Sequence, residues 1–286
     1  MHRISVYSLM LCLAGVCPAV AVPVYSFSDF AVFSGGKFST GKNVTIQGPV
    51  GALGQIWINN ESTTGSVLGA GKVGLGKDVN VLGDVGYVSK FSAHETVAVS
   101  GTVFQQSVGD LPGALGAPGF AGVGGSETIQ AGSTVSLSPG SYGSLTVGKE
   151  STIHLVAGHY VFDSVWLDKE SSLLADTATG AVTIEVVGKV STGKEVSIGS
   201  QGAHRIQIIS GGNQFYNKEN EITADLISFG KLDLASESIL QGTAYGDQSV
   251  WLGKEVQVLK STSIPEASTM LLLMSGVGLL RYRRIR

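Results

Sequence analysis

Ser164-Val165-Trp166-Leu167-Asp168-Lys169-Glu170 and Ser249-Val250-Trp251-Leu252-Gly253-Lys254-Glu255 are near-copies within one chain. Each couples a short stretch of alternating apolar and polar residues to a polar corner containing Lys-Glu. The corner recurs as Gly148-Lys149-Glu150-Ser151-Thr152-Ile153, Asp168-Lys169-Glu170-Ser171-Ser172-Leu173, Gly193-Lys194-Glu195-Val196-Ser197-Ile198, Asn217-Lys218-Glu219-Asn220-Glu221-Ile222, Ala235-Ser236-Glu237-Ser238-Ile239-Leu240 and Gly253-Lys254-Glu255-Val256-Gln257-Val258, at intervals of 20, 25, 24, 18 and 18 residues. Weaker copies stand upstream at Gly41-Lys42-Asn43, Gly76-Lys77-Asp78, Ala93-His94-Glu95 and Ala131-Gly132-Ser133. Period-two alternation turns one face of a strand inward. A unit of ~20 residues cannot bury that face alone and must stack on its neighbours. The expected fold is all-β: a single-stranded β-helix, or solenoid, with coils of roughly 17–25 residues. Glycine at the corner is expected to supply dihedrals that other residues resist, with Lys and Glu turned to water. A phosphate loop does not fit, because it needs Gly-x-x-x-x-Gly-Lys-Ser/Thr before a helix, and here Glu mostly follows Lys and a strand comes next.

Composition agrees. The 286 residues include 40 glycines, and only 14% are charged while 43% are hydrophobic. This is a chain that buries a core and turns often. Both cysteines, Cys12 and Cys17, fall in the leader described below, so the rest has neither disulfides nor a thiolate metal site. Residues 22–260 hold thirteen Lys and one Arg (Arg205) against twenty-one Asp plus Glu, about seven net negative charges. Nucleic acid, which needs a dense basic face, is excluded as a partner.

Both ends read as processing segments. Residues 1–21 are a secretory signal: Arg3, the apolar run Ile4 to Val16, and the small residues Ala19 and Ala21 before the cleavage point. At the other end, residues 261–286 place Pro265-Glu266-Ala267 before an apolar run from Met270 to Leu280, then Arg281, Arg283, Arg284 and Arg286. A helix over 269–280 makes a short transmembrane segment, and the arginines stay cytoplasmic by the positive-inside rule. Between the ends lie an N-terminal solenoid section (22–106), a Gly/Pro-rich loop or linker (107–126) and a C-terminal solenoid section (127–260).

The tail resembles the PEP-CTERM sorting signal of exopolysaccharide-producing bacteria, with Pro265 and Glu266 at the first two motif positions and Ala267 where the family has a second proline. The resemblance implies signal peptidase and Sec export, membrane attachment through the C-terminal helix, and recognition by an exosortase-like membrane protease. It implies passage through the inner membrane to the outer surface or matrix of a Gram-negative bacterium. The stretches Leu137-Ser138-Pro139-Gly140-Ser141-Tyr142 and Gly158-His159-Tyr160-Val161-Phe162 make the body similar to the β-helical "choice-of-anchor A" exported proteins, which implies a surface protein with no known chemistry.

Sites are sparse. In Val165-Trp166-Leu167 the aliphatic residues share one face, so Trp166 turns outward, as does Trp251; with Trp57 these are candidate sugar contacts, and exopolysaccharide is the candidate partner. His154 and His159, with Asp163, form the strongest metal candidate, but alternation turns His154 outward and His159 sits at a corner, so no metal or cofactor is expected. The alternative is a β-helix polysaccharide-active enzyme, lyase or hydrolase, using acids from Asp163, Asp168, Asp176 and Glu185. The body's negative charge weighs against an anionic polymer in such a groove. An ice-binding solenoid would need a threonine ladder at the repeat period, and none is read. The expectation is a non-enzymatic structural or adhesive protein of the cell surface or exopolysaccharide matrix.

Overall fold

The structure is a computed structural model. It describes residues 25–260 apart from 114, 117, 118 and 120–123. The expected leader (Ala19, Ala21), the sorting motif (Pro265, Glu266), the apolar helix 269–280 and the arginines 281, 283, 284 and 286 lie outside the described residues.

Among the described residues three parallel sheets, here A, B and C, hold eleven strands each. Every coil gives one strand to each sheet, so the cross-section has three sides and three corners. In the first coil these are Val32–Ser34 in sheet A, Lys37–Thr40 in sheet B and Thr45–Gln47 in sheet C. The β-solenoid expected from the repeat is present.

The rungs do not stack in chain order. The first coil pairs with the second on one side, Val32 with Val50 and Phe38 with Ile56. On its other side it pairs with the last coil: Val32 with Ala244, Phe38 with Val250, Thr45 with Gln257. From this junction the N-terminal coils run outward to an end rung of Lys90–Ala93, Ala98–Val99 and Val103–Gln105. The chain then passes to the opposite end rung, Glu127–Ile129, Thr134–Leu137 and Gly140–Ser141, and coils back to the junction. The end rungs are ten strand spacings apart, about 48 Å, a span that the ~20 intervening residues reach when extended. Both sections therefore share one core. Phe38, completely buried between Ile56 and Val250, closes it at the junction.

Leu111 and Leu115 of the intervening stretch lie against sheet A. Leu111 is buried there with Phe30, Phe33, Leu68, Ile209, Ile227 and Tyr245, and the Leu115 amide donates to the Tyr245 hydroxyl at 3.2 Å. Sheet A is thus covered on its outer face around Phe33, Leu68, Ile227 and Tyr245, whereas sheets B and C keep a solvent face.

The repeated motif marks the B–C corner, and the structure corrects how it turns. In nine copies the residue with positive φ is the third, not the glycine: Asn43, Glu61, Asp78, Glu150, Glu170, Glu195, Glu219, Glu237 and Glu255 lie at φ of 55–64°, and only at Ala131-Gly132-Ser133 does a glycine, Gly132 at φ 71°, take this conformation. Eight of the nine amides donate to the carbonyl one residue earlier in the adjacent coil's corner, as Glu170 to Lys194 at 2.9 Å and Glu255 to Lys42 at 3.0 Å, and the Asp78 amide donates to the Thr96 hydroxyl instead. This bond ladder holds a conformation that costs an L-residue ~1–2 kcal/mol. The leading glycine is there for closeness. A Cβ on Gly193 would stand 2.4 Å from the Lys169 nitrogen, and one on Gly253 would stand 2.5 Å from the Ser236 nitrogen. Asn59-Asn60-Glu61 is a further copy that the sequence reading passes over.

Candidate functional site

Sheet B offers the open face with chemistry on it. Its strands alternate, inward residues filling the core and outward ones facing solvent, as in the buried-exposed-buried pattern of Ile56–Ile58 and the Val165-Trp166-Leu167 stretch. Strand pairing brings the central outward residues into one column. Read from the Lys90 end it runs Ser92, Gly74, Trp57, Ser39, Trp251, Asp233, Phe215, Ser191, Trp166, Thr146 and Thr128. Trp57, Trp251, Phe215 and Trp166 occupy alternate rungs, each 37–43% exposed. Two rungs span about 9.6 Å. The protein has three tryptophans, and all stand in this column.

The residues between the rings are small or short, and that shapes the face. A Cβ at Gly74 would meet ring atoms of Trp57 at 2.2 and 2.3 Å, so this indole lies over the glycine of the next rung, with the Lys72 ammonium 5.9 Å from its centroid. A shallow groove runs past Trp166, Ser191, Phe215, Asp233 and Trp251. Asp233 is the one carboxylate in the column. Burial raises its pKa above the ordinary value, and nearby Lys231 partly offsets this.

The B–C corner beside this face is a ladder of paired charges. Lys149 Nζ sits 2.8 Å from Glu150 and 3.7 Å from Glu170, and Lys169 sits 2.7 Å from Glu170 and 3.8 Å from Glu195. Hydrogen bonding to Glu150 and Glu170 respectively raises the pKa of both lysines. Such exposed pairs contribute little to stability.

The three candidate sugar contacts, Trp57, Trp166 and Trp251, fall on one column. Phe215 and Asp233 belong to it and are not singled out by the sequence reading. Their signal was outward position two residues after a polar start, as in Lys231-Leu232-Asp233. The enzyme candidates scatter instead. Asp163 is at the corner between sheets A and B, Asp168 at the B–C corner, Asp176 at the end of a sheet C strand and Glu185 in sheet A. Asp168 and Asp176 accept hydrogen bonds from the amides of Lys169 and Ala178. His154 is on sheet C, whereas His159 lies within the sheet A strand Gly158–Phe162 rather than at a corner, its Nε2 3.1 Å from Glu185. Among the described residues no cluster of three His, Cys, Asp or Glu side chains could hold a metal. The outward column of sheet C holds Thr134, Thr152, Ser172 and Ser197 at one end and Thr45 and Thr63 nearer the other, but Glu221, Ile239 and Gln257 interrupt it.

No protein-family model matches the chain, and no curated protein does. Among solved structures it is similar to an ice-binding protein from the Antarctic ascomycete Antarctomyces psychrotrophicus, at 12% identity and TM-score 0.49, over 85% of this chain and 99% of that one. A second is an ice binding protein from an Antarctic Biological Consortium, at 11% and 0.47, over 83% and 90% of the two chains. A third is an ice binding protein from an Antarctic bacterium, Flavobacteriaceae, at 9% and 0.35, over 85% and 100%. At these identities and scores nothing about this chain's chemistry follows.

Proposed function

We propose that the protein is an exported, non-enzymatic surface or matrix component whose sheet B binds polysaccharide. The observation that carries this is the column of four aromatic rings on alternate rungs, exposed and set on small neighbours. Sugar rings have apolar faces that stack on aromatics. A rigid row of rings presents that contact repeatedly along one chain at little entropic cost. Export through the Sec route and sorting at Pro265-Glu266, with Arg281, Arg283, Arg284 and Arg286 as cytoplasmic stop, would deliver this face to an exopolysaccharide matrix.

A polysaccharide-cleaving reading finds less support. Glycoside hydrolysis uses two carboxyl groups flanking one bond, and Asp233 is the single acid in the aromatic column.

Retention of the exported full chain on a panel of immobilised polysaccharides tests the binding claim. Wild type should be retained by at least one polymer, and the Trp57→Ala/Trp166→Ala/Trp251→Ala variant by none of those. Equal retention of the two proteins overturns the reading. Sorting is tested by the intact mass of the mature protein in its host. Truncation near Pro265 in wild type, lost in Pro265→Ala/Glu266→Ala, supports it, and an untrimmed tail in wild type overturns it.

A further inference from the structure

We propose that the polymer held on sheet B is an anionic polysaccharide carrying one negative charge on every second sugar, laid along the solenoid axis; this rests on reading sheet B as a carbohydrate-binding face. Beside the aromatic column, two residues earlier along the chain at the start of each strand or directly before it, runs a second outward column at the sheet A edge. Along the same rungs it reads Lys90, Lys72, Gln55, Lys37, Ser249, Lys231, Asn213, Lys189, Ser164, Ser144 and Ser126.

The two columns are out of phase. Where the centre holds a ring, the edge holds a neutral polar residue: Gln55 beside Trp57, Ser249 beside Trp251, Asn213 beside Phe215, Ser164 beside Trp166. Where the centre holds a small or acidic residue, the edge holds lysine: Lys72 with Gly74, Lys37 with Ser39, Lys231 with Asp233, Lys189 with Ser191. The alternation holds over eight consecutive rungs, from Lys72 to Ser164. It crosses the junction between the first and last coils without a break, so it belongs to the assembled face and not to a local sequence repeat.

Charge completes the argument. Lys37, Lys189 and Lys231 are exposed, and none of the five edge lysines makes an ion pair among the described residues. Of the corner lysines on the other side of the sheet, 77, 149, 169 and 254 do, whereas 42, 194 and 218 each stand directly before the residue of positive φ without such a pair. The five lysines outnumber Asp163 and Asp247, the two acids of the A–B corner, so this edge carries net positive charge although the body is negative, which corrects the expectation that it would repel an anionic polymer. Lysines two rungs apart, about 9.6 Å, are separated by slightly more than the ~8 Å Debye length of physiological salt. Each acts as a separate positive site, so their period is readable. A chain offering an apolar sugar face to each ring and a carboxylate, sulfate or phosphate between rings matches both columns.

The test uses the exported full chain and three probes: hyaluronan, with a carboxylate on every second sugar; polygalacturonate, with one on every sugar; and uncharged hydroxyethyl cellulose. Dissociation constants are measured for wild type, for Lys37→Gln/Lys189→Gln/Lys231→Gln, and for the triple Trp→Ala variant, with thermal unfolding confirming that each is folded. The expected result is tightest binding to hyaluronan, weakened about tenfold by the lysine substitutions and by 0.5 M salt, with hydroxyethyl cellulose unaffected by either. Equal binding of hydroxyethyl cellulose and hyaluronan, unchanged in the lysine variant but lost in the tryptophan variant, overturns the charge assignment and leaves the carbohydrate reading standing. Polygalacturonate binding as tightly as hyaluronan overturns the every-second-sugar period. Tryptophan-independent binding to all three overturns both.

Discussion

Trp57 and Trp251 come from opposite ends of the body, yet stand in one outward column two rungs apart with Ser39 between them. What brings them together is the pairing of the first coil with the last. A binding face spanning both solenoid sections exists only because that junction closes.

The junction should accordingly control the whole fold. Phe38 is fully buried between Ile56 and Val250, one residue from each section. Phe38→Ala is expected to cost about 3–5 kcal/mol in urea unfolding monitored by circular dichroism. A loss under 1 kcal/mol would mean the sections do not share a core.

The corner should respond to substitution in an unusual order. Gly193→Ala forces a Cβ to 2.4 Å from the Lys169 nitrogen and is expected to destabilise by ~1–3 kcal/mol. Glu195→Gly, at φ 58°, relieves left-handed strain and should gain up to about 1 kcal/mol after the added flexibility of the unfolded chain is counted. Chemical denaturation of both variants checks this. The opposite pair of signs would return the left-handed role to the glycine.

The legibility of the chain divides along these lines. The Lys-Glu repeat gave the solenoid, and alternation in Val165-Trp166-Leu167 turned the tryptophans outward. Both are local properties with a fixed period. Rung order is not local: nothing in Phe38 or Val250 says that they meet, so neither the common column of Trp57 and Trp251 nor the lysine edge can be read before the fold is known. The glycine assignment failed because Gly-first corners suggest a dihedral requirement, whereas here the constraint is the distance to the coil stacked beside Gly193 and Gly253.

Arg205, the one arginine of the body, supports sheet A from a corner. Its Nη1 donates to both carboxylate oxygens of Asp225 at 2.9 and 3.0 Å, and Asp225 also accepts from the amide and hydroxyl of Thr243 in the following coil. Asp225 is nearly buried. Arg205→Ala removes the countercharge and leaves that carboxylate with the Thr243 hydrogen bonds, which should cost about 3–5 kcal/mol. A loss below 1 kcal/mol on urea titration would show the pair to be solvated.

Asp233 should leave a signature in pH-dependent stability. Burial raises its pKa in the folded chain above the ordinary carboxylate value. The folded state then binds the proton more tightly than the unfolded state. The stability this adds is complete at low pH and is lost as pH rises through the folded pKa. Asp233→Asn is expected to be more stable than wild type at neutral pH, with the gap closing below the usual carboxylate pKa of about 3.9. Identical denaturation curves at neutral pH would contradict it.

The most direct measurement is tryptophan fluorescence, because all three tryptophans lie on the proposed face. Acrylamide quenching of the exported protein should be efficient without ligand, given indoles 41–43% exposed. On saturation with hyaluronan, quenching should fall and the emission should shift to the blue. Binding that leaves both the quenching and the emission maximum unchanged would place the polysaccharide elsewhere on the molecule and contradict the account.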